Sequence, residues 1–131
     1  MEKAQIAIEA VLVFALALTI IGVLYGFTFS NASDNIAISK TQAAVDTLGR
    51  NVDYIYSLNK GSSTSVEIDI PAGAVNYTLT SKTINYKVGI SSGFTDVFYI
   101  TKTNLTGRLP ISEGKYIVYI NNTGGDIGLA Y

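Results

Sequence analysis

Residues 10–29 read AVLVFALALTIIGVLYGFTF, and no charged residue occurs from Ala10 to Ser33. As a helix, this stretch rises about 30 Å, the thickness of the hydrocarbon layer of a bilayer. It therefore predicts a helix able to cross a membrane. A cleavable secretory signal has a shorter apolar core, a basic start and a small-residue cleavage site behind it. Here the run passes straight into Ser30, Asn31, Ala32 and Ser33, so the helix is expected to persist in the mature protein. At its N-terminal mouth stands a lone carboxylate, Glu9. Charged side chains cost about 2.5–3.5 kcal/mol at the centre of an inserted helix, so one near an end is tolerable but is expected to serve a function.

With 131 residues, the chain has room for one membrane helix and one compact domain of roughly 70 residues. Nine basic and ten acidic residues leave a net charge of −1, with no basic stripe to follow a phosphate backbone, so nucleic acid is not expected as a partner. Cysteine and histidine are both absent. That removes disulfides, thiolate chemistry and the commonest ligands of zinc, haem and copper, so no metal, cofactor or catalytic residue is predicted. Asp69, Glu67 and Asp96 supply carboxylates, but alternating with apolar residues they suit a solvated strand face better than an acid–base pair.

Beyond Ser33, Ile38, Gln42, Val45, Leu48, Val52 and Ile55 recur at steps of three and four, an apolar stripe opposed by Lys40, Asp46, Arg50 and Asp53. No proline precedes Pro71, so one helix is expected from about Gln5 to about Leu58, closed by Asn59-Lys60-Gly61. Gly22, Gly26 and the polar run Ser30–Asp34 predict a bend or loosened turn between residues 22 and 34. From Ser62 the period becomes two. Strands are predicted at Val66–Ile70, Val75–Thr80, Thr83–Val88 after a tight Ser81-Lys82 turn, Asp96–Lys102, Lys115–Asn121 and Ile127–Tyr131. Short connections favour antiparallel neighbours. The expected fold is α+β: a long N-terminal hydrophobic helix (residues 5–60, with 5–29 the membrane part and 30–60 the amphipathic part) followed by a small antiparallel sheet or sandwich head (61–131).

Four Asn-x-Ser/Thr sequons, at Asn31, Asn76, Asn104 and Asn121, are candidate glycosylation sites and fit an exterior surface. Gly22-Val-Leu-Tyr-Gly26 is a Gly-x-x-x-Gly pair that would let helices approach closely.

The N-terminal run Gln5-Ile6-Ala7-Ile8-Glu9-Ala10-Val11-Leu12-Val13, behind Met1-Glu2-Lys3-Ala4, resembles the class III signal of archaeal type IV pilin-like proteins, Gln-x-Ser-x-Glu-x-x-x-Leu. Gln5 and Glu9 match at the family's spacing, whereas Ala7 replaces Ser and Val13 replaces Leu. The leader, residues 1–4, holds one basic residue where the family usually has several. The resemblance implies cleavage by a membrane prepilin peptidase between Ala4 and Gln5, and a role for Glu9 in subunit registration and processing. It further implies a subunit that waits in the cytoplasmic membrane, engages an assembly ATPase and its membrane platform, and polymerises with identical subunits into an extracellular filament, with a role in adhesion or surface attachment. Two other expectations stay open: an archaellin-like subunit of a swimming filament, and a monomeric membrane-tethered binding module.

Overall fold

The structure is a computed structural model that describes residues 2–131. One helix, α1, covers Glu2–Ser57. Seven strands follow: β1 (Ser63–Ile70), β2 (Ala74–Thr80), β3 (Thr83–Ile90), β4 (Gly93–Ile100), β5 (Asn104–Gly107), β6 (Gly114–Asn122) and β7 (Asp126–Ala130). The α+β architecture is as the sequence predicts. The chain forms two compact units, one ending at Ser33 and one from Asp34 to Tyr131, so α1 contributes its second part to the strand-bearing unit.

No loosened turn separates residues 22 and 34: the chain is helical throughout. Polar side chains in the apolar stretch turn their donors back onto the helix. Thr19 and Thr28 donate to the carbonyls of Ala15 (2.9 Å) and Leu24 (2.8 Å), a local bond that lets hydroxyls sit within a helix.

In the unit from Asp34 onward, the strands form a four-stranded sheet in the order β1-β6-β7-β5 and a three-stranded sheet in the order β2-β3-β4. All pairs are antiparallel except β5–β7, which is parallel. Both sheets and the helix share one core. Ile68, Ile70, Val118, Ile120, Ile127, Leu129 and Leu105 come from the larger sheet and Ile84, Tyr86, Val88 and Val97 from the smaller, with Ala44, Val45, Leu48, Val52 and Ile55 from α1. The alternation on β3, where Ile84, Tyr86 and Val88 are buried, is the period-two pattern of a half-buried strand. Tyr86 carries its hydroxyl into the core because it can donate to the Pro110 carbonyl at 2.8 Å. Burial pushes that hydroxyl well above its ordinary titration range, with Tyr77 and Tyr131 adding to the effect.

The apolar stripe on the helix differs from expectation at one position. Thr41 is buried and Gln42 is exposed. Thr41 satisfies its hydroxyl on the Ala37 carbonyl (2.8 Å), whereas the longer Gln42 amide donates to Asp46 at the surface (2.8 Å). Asp53 also leaves the solvated face assigned to it. It accepts hydrogen bonds from the Tyr99 hydroxyl (3.1 Å) and the Lys102 backbone N–H (2.9 Å). Desolvation and the Asp53 carboxylate raise the Tyr99 titration. Nineteen residues earlier, Asp34 accepts from the Ser91 N–H (3.1 and 3.2 Å) and from the Ser91 hydroxyl. The helix is thus tied to the β3–β4 hairpin at both ends of β4 and runs in the same direction as that strand. On the other flank Lys40 pairs with Asp69 of β1 at 3.6 Å, a half-exposed ion pair worth little by itself.

The C-terminus of α1 is closed by a buried side chain. Asn122 Nδ2 donates to the Ile55 and Leu58 carbonyls (3.1 and 3.4 Å), taking up acceptors that a helix end leaves open. Gly61, with φ of +89°, turns the chain so that its N–H reaches the Asn122 carbonyl at 2.9 Å.

Candidate functional site

The first unit is a single helix. Its most apolar stretch has none of its residues buried. Fifteen large hydrophobic side chains, from Ile6 to Phe29, are each more than half exposed. Burying one such side chain is worth about 1.5–3 kcal/mol, so this surface carries roughly 20–40 kcal/mol of unrealised transfer free energy. The helix is long and apolar enough to cross a membrane.

Glu9 is exposed at one end of this surface, beside a shallow hollow formed by Ile6, Ala10, Val13, Phe14 and Ala17. Ala4 and Gln5 lie one turn earlier, helical and exposed. A carboxylate in the first turns of a helix gains from the positive end of the helix dipole and can accept from an amine or a backbone N–H brought to it. Gly22 and Gly26 follow on a common face at a spacing of four, and a Cβ at either would meet nothing within 4 Å. Tyr25 and Phe29 stack beside them with ring centroids 6.5 Å apart. The helix therefore offers a small-residue face against which another helix could come close.

In the second unit the sequon asparagines Asn76, Asn104 and Asn121 are all exposed, as is Asn31 in the first unit. Asn76 Oδ1 already accepts the Tyr77 N–H at 2.8 Å, and Thr123 of the Asn121 sequon donates to the Asp126 carbonyl at 2.9 Å. Among the described residues, no group of three or more acidic side chains gathers to hold a metal ion. The structure does not bring Glu67, Asp69 and Asp96 together: Glu67 and Asp69 engage Lys115 and Lys40 from β1, while Asp96 lies opposite Lys87 on the other sheet.

Asn122, Asp34 and Asp53 are the positioning residues that sequence periodicity missed. Only their partners, which lie 46 to 67 residues away in sequence, reveal them. Comparison of the chain with known protein families, with characterised proteins and with solved structures finds no match.

Proposed function

We propose that this chain is a structural subunit of an archaeal type IV pilus-like extracellular filament, held in the cytoplasmic membrane before assembly and polymerising through its N-terminal helix. The observation that carries the proposal is the fully exposed, charge-free surface from Ala10 to Phe29, placed directly behind Gln5 and Glu9. Such a surface needs lipid or protein around it. A membrane supplies the first and a bundle of identical helices the second. Exchange between them costs little, because lipid tails and apolar side chains are similar environments, and close packing at Gly22 and Gly26 adds contacts that lipid does not provide.

In this scheme a prepilin peptidase cuts between Ala4 and Gln5, and Glu9 enters the bundle, where it accepts hydrogen bonds from the N-terminus or backbone of a neighbouring copy. An assembly ATPase with its membrane platform would lift each subunit out of the bilayer. The β-rich unit, with its sequon asparagines exposed, would face outward and serve adhesion. The subunit performs no bond chemistry.

Glu9→Ala tests this directly. The variant should insert in membranes and keep a folded β unit, while filaments seen by electron microscopy fall at least tenfold in abundance. Normal filament yield from Glu9→Ala, or an N-terminal filament peptide beginning at Met1, would refute the assigned roles of Glu9 and of the Ala4–Gln5 bond. Dispersed single copies in the membrane fraction, with no filaments from the native chain, would refute the filament itself.

A further inference from the structure

The outer face of the three-stranded sheet is divided into two rows by the register of β3 against β4. Its pairs are Gly89↔Phe94, Lys87↔Asp96, Asn85↔Phe98 and Thr83↔Ile100. The β4 row is a ridge: Phe94, Phe98 and Ile100 are 66, 57 and 67% exposed. The β3 row carries smaller side chains, Asn85 and Thr83, beside Gly89, over which the chain's own Val75 and Phe94 already lean. The one acidic residue, Asp96, lies on the ridge and the one basic residue, Lys87, in the β3 row. They form no ion pair with each other, and the Lys87 ammonium sits instead 5.7 Å from the centre of the Phe94 ring.

A two-fold rotation about a line midway between β3 and β4, parallel to the strands, exchanges the two rows. It sets the ridge of one copy over the β3 row of the other. Phe94 meets Gly89, Phe98 meets Asn85, Ile100 meets Thr83, and each Lys87 meets the opposite Asp96. Large side chains therefore meet smaller ones at Phe98 and Ile100, and opposite charges meet at Lys87 and Asp96, while at Gly89 the incoming Phe94 meets the Phe94 and Val75 already lying there. We infer that this face binds a second copy of the chain, face to face, about that two-fold axis.

The area suits such a contact. The three large side chains expose roughly 350–400 Å², the size of the largest and often functional apolar patch on a typical monomer. The surrounding Asn76, Thr78, Thr80, Lys87 and Asp96 extend it toward the roughly 800 Å² per partner of a stable interface. Stacked sheets lie about 10 Å apart, a gap that interdigitated Phe and Ile side chains fill.

Because the helix from Asp34 to Asp53 runs in the direction of β4, it points the same way in both copies. A polar filament grows by head-to-tail contacts, whereas an isologous contact closes on itself and adds no third subunit. If the chain is a filament subunit as proposed above, the pairing joins neighbouring filaments side by side and does not lengthen either.

Sedimentation of the full chain in detergent micelles tests the pairing. The native chain should form a dimer, and Phe98→Asp should weaken it at least tenfold, while Ile117→Asp on the outer face of the other sheet leaves it unchanged. Lys87→Glu alone and Asp96→Lys alone should each weaken it at least tenfold, since each sets like charges opposite one another twice. An equimolar mixture of those two variants should restore the dimer, a rescue that misfolded variants could not give. A native chain that sediments as single copies, or a mixture that stays dissociated, overturns the inference, as does a Phe98→Asp variant of unchanged size, which would leave the face to another partner. By electron microscopy, native filaments should lie in bundles and Lys87→Glu filaments singly; Lys87→Glu filaments that remain bundled overturn the link to bundling. Absence of any filament from the native chain counts against the proposed function alone, because sedimentation still decides the pairing.

Discussion

Replacing Gly49 by alanine is expected to destabilise the β-rich unit, yet to stabilise it once Tyr99 has been truncated. Gly49 is buried in α1, and in an open helix alanine would be better by about 1 kcal/mol. Here a Cβ at position 49 would lie 2.1 Å from Tyr99 Cδ1, 2.4 Å from Cγ and 2.5 Å from Cε1. A ring anchored on β4 must move by more than 1 Å to admit it. That movement costs about 1–3 kcal/mol as overpacking. It also pulls the Tyr99 hydroxyl from Asp53, a half-exposed bond worth about 1 kcal/mol. Set against the gain in helix propensity, Gly49→Ala should lose about 1–3 kcal/mol. In a Tyr99→Ala background the ring that the new methyl strikes is gone, so the same substitution should gain up to about 1 kcal/mol. The coupling between the two sites is then about 3 kcal/mol, at the upper end for packed neighbours. Urea unfolding of the four chains in detergent, followed by near-ultraviolet circular dichroism, measures it. Additive effects, with Gly49→Ala carrying the same sign in both backgrounds, would refute the idea that the Tyr99 ring dictates glycine at this position.

Three further outcomes follow from the same core. Tyr86 keeps its proton in the fold beyond the pH at which an unfolded tyrosine loses it, so its contribution is intact below about pH 10 and declines as pH rises above that value. Tyr86→Phe should flatten the fall in urea midpoint above about pH 10, while costing about 1 kcal/mol at neutral pH because the Pro110 carbonyl loses its donor. Asn122→Ala should cost about 2–3 kcal/mol and speed amide exchange at Leu58 and Gly124, since the Ile55 and Leu58 carbonyls lose their donor and the Gly124 N–H its acceptor. Gly107→Ala should leave little folded protein, detectable as lost near-ultraviolet signal: at φ of +117° its Cβ would lie 1.9 Å from the Leu129 carbonyl oxygen, and backbone cannot yield as a side-chain tip can.

The helix and most strands were legible because their periods are long and clean. The apolar run and the step from a three-and-four spacing to strict alternation after Ser62 leave few other folds open. The tight Ser81-Lys82 turn was read correctly, whereas the two-residue Ser91-Ser92 connection was not, so β4 begins at Gly93 and not at Asp96. The short β5 escaped altogether. Four residues, Asn104–Gly107, carry too little alternation to be recognised, and their parallel pairing with β7 depends on a partner about 22 residues away. Periodicity chose Gln42 over Thr41 because adjacent positions on a helix differ by only 100°; what decides between them is whether the buried polar group finds an acceptor, and Thr41 does. At the candidate site, Glu9 stands out as the lone carboxylate beside the apolar run and Gly22 and Gly26 by their spacing, whereas Gln5 is singled out only by the resemblance to the pilin signal. The two rows of the outer sheet face could not be read from the sequence, because they exist only once β3 and β4 are in register.

The paired carboxylates that tie the helix to the β3–β4 hairpin have a mechanical consequence. Asp34 and Asp53 fasten two elements that lie side by side and run in the same direction, so a pull transmitted along the helix loads the Ser91, Tyr99 and Lys102 attachments together, in shear, and does not peel them one after another. Resistance to force is set by the rate of unfolding, and bonds that must fail at once raise that barrier more than bonds that fail in turn. A chain without a single disulfide thereby relies, under tension, on the direction in which these hydrogen bonds are arranged.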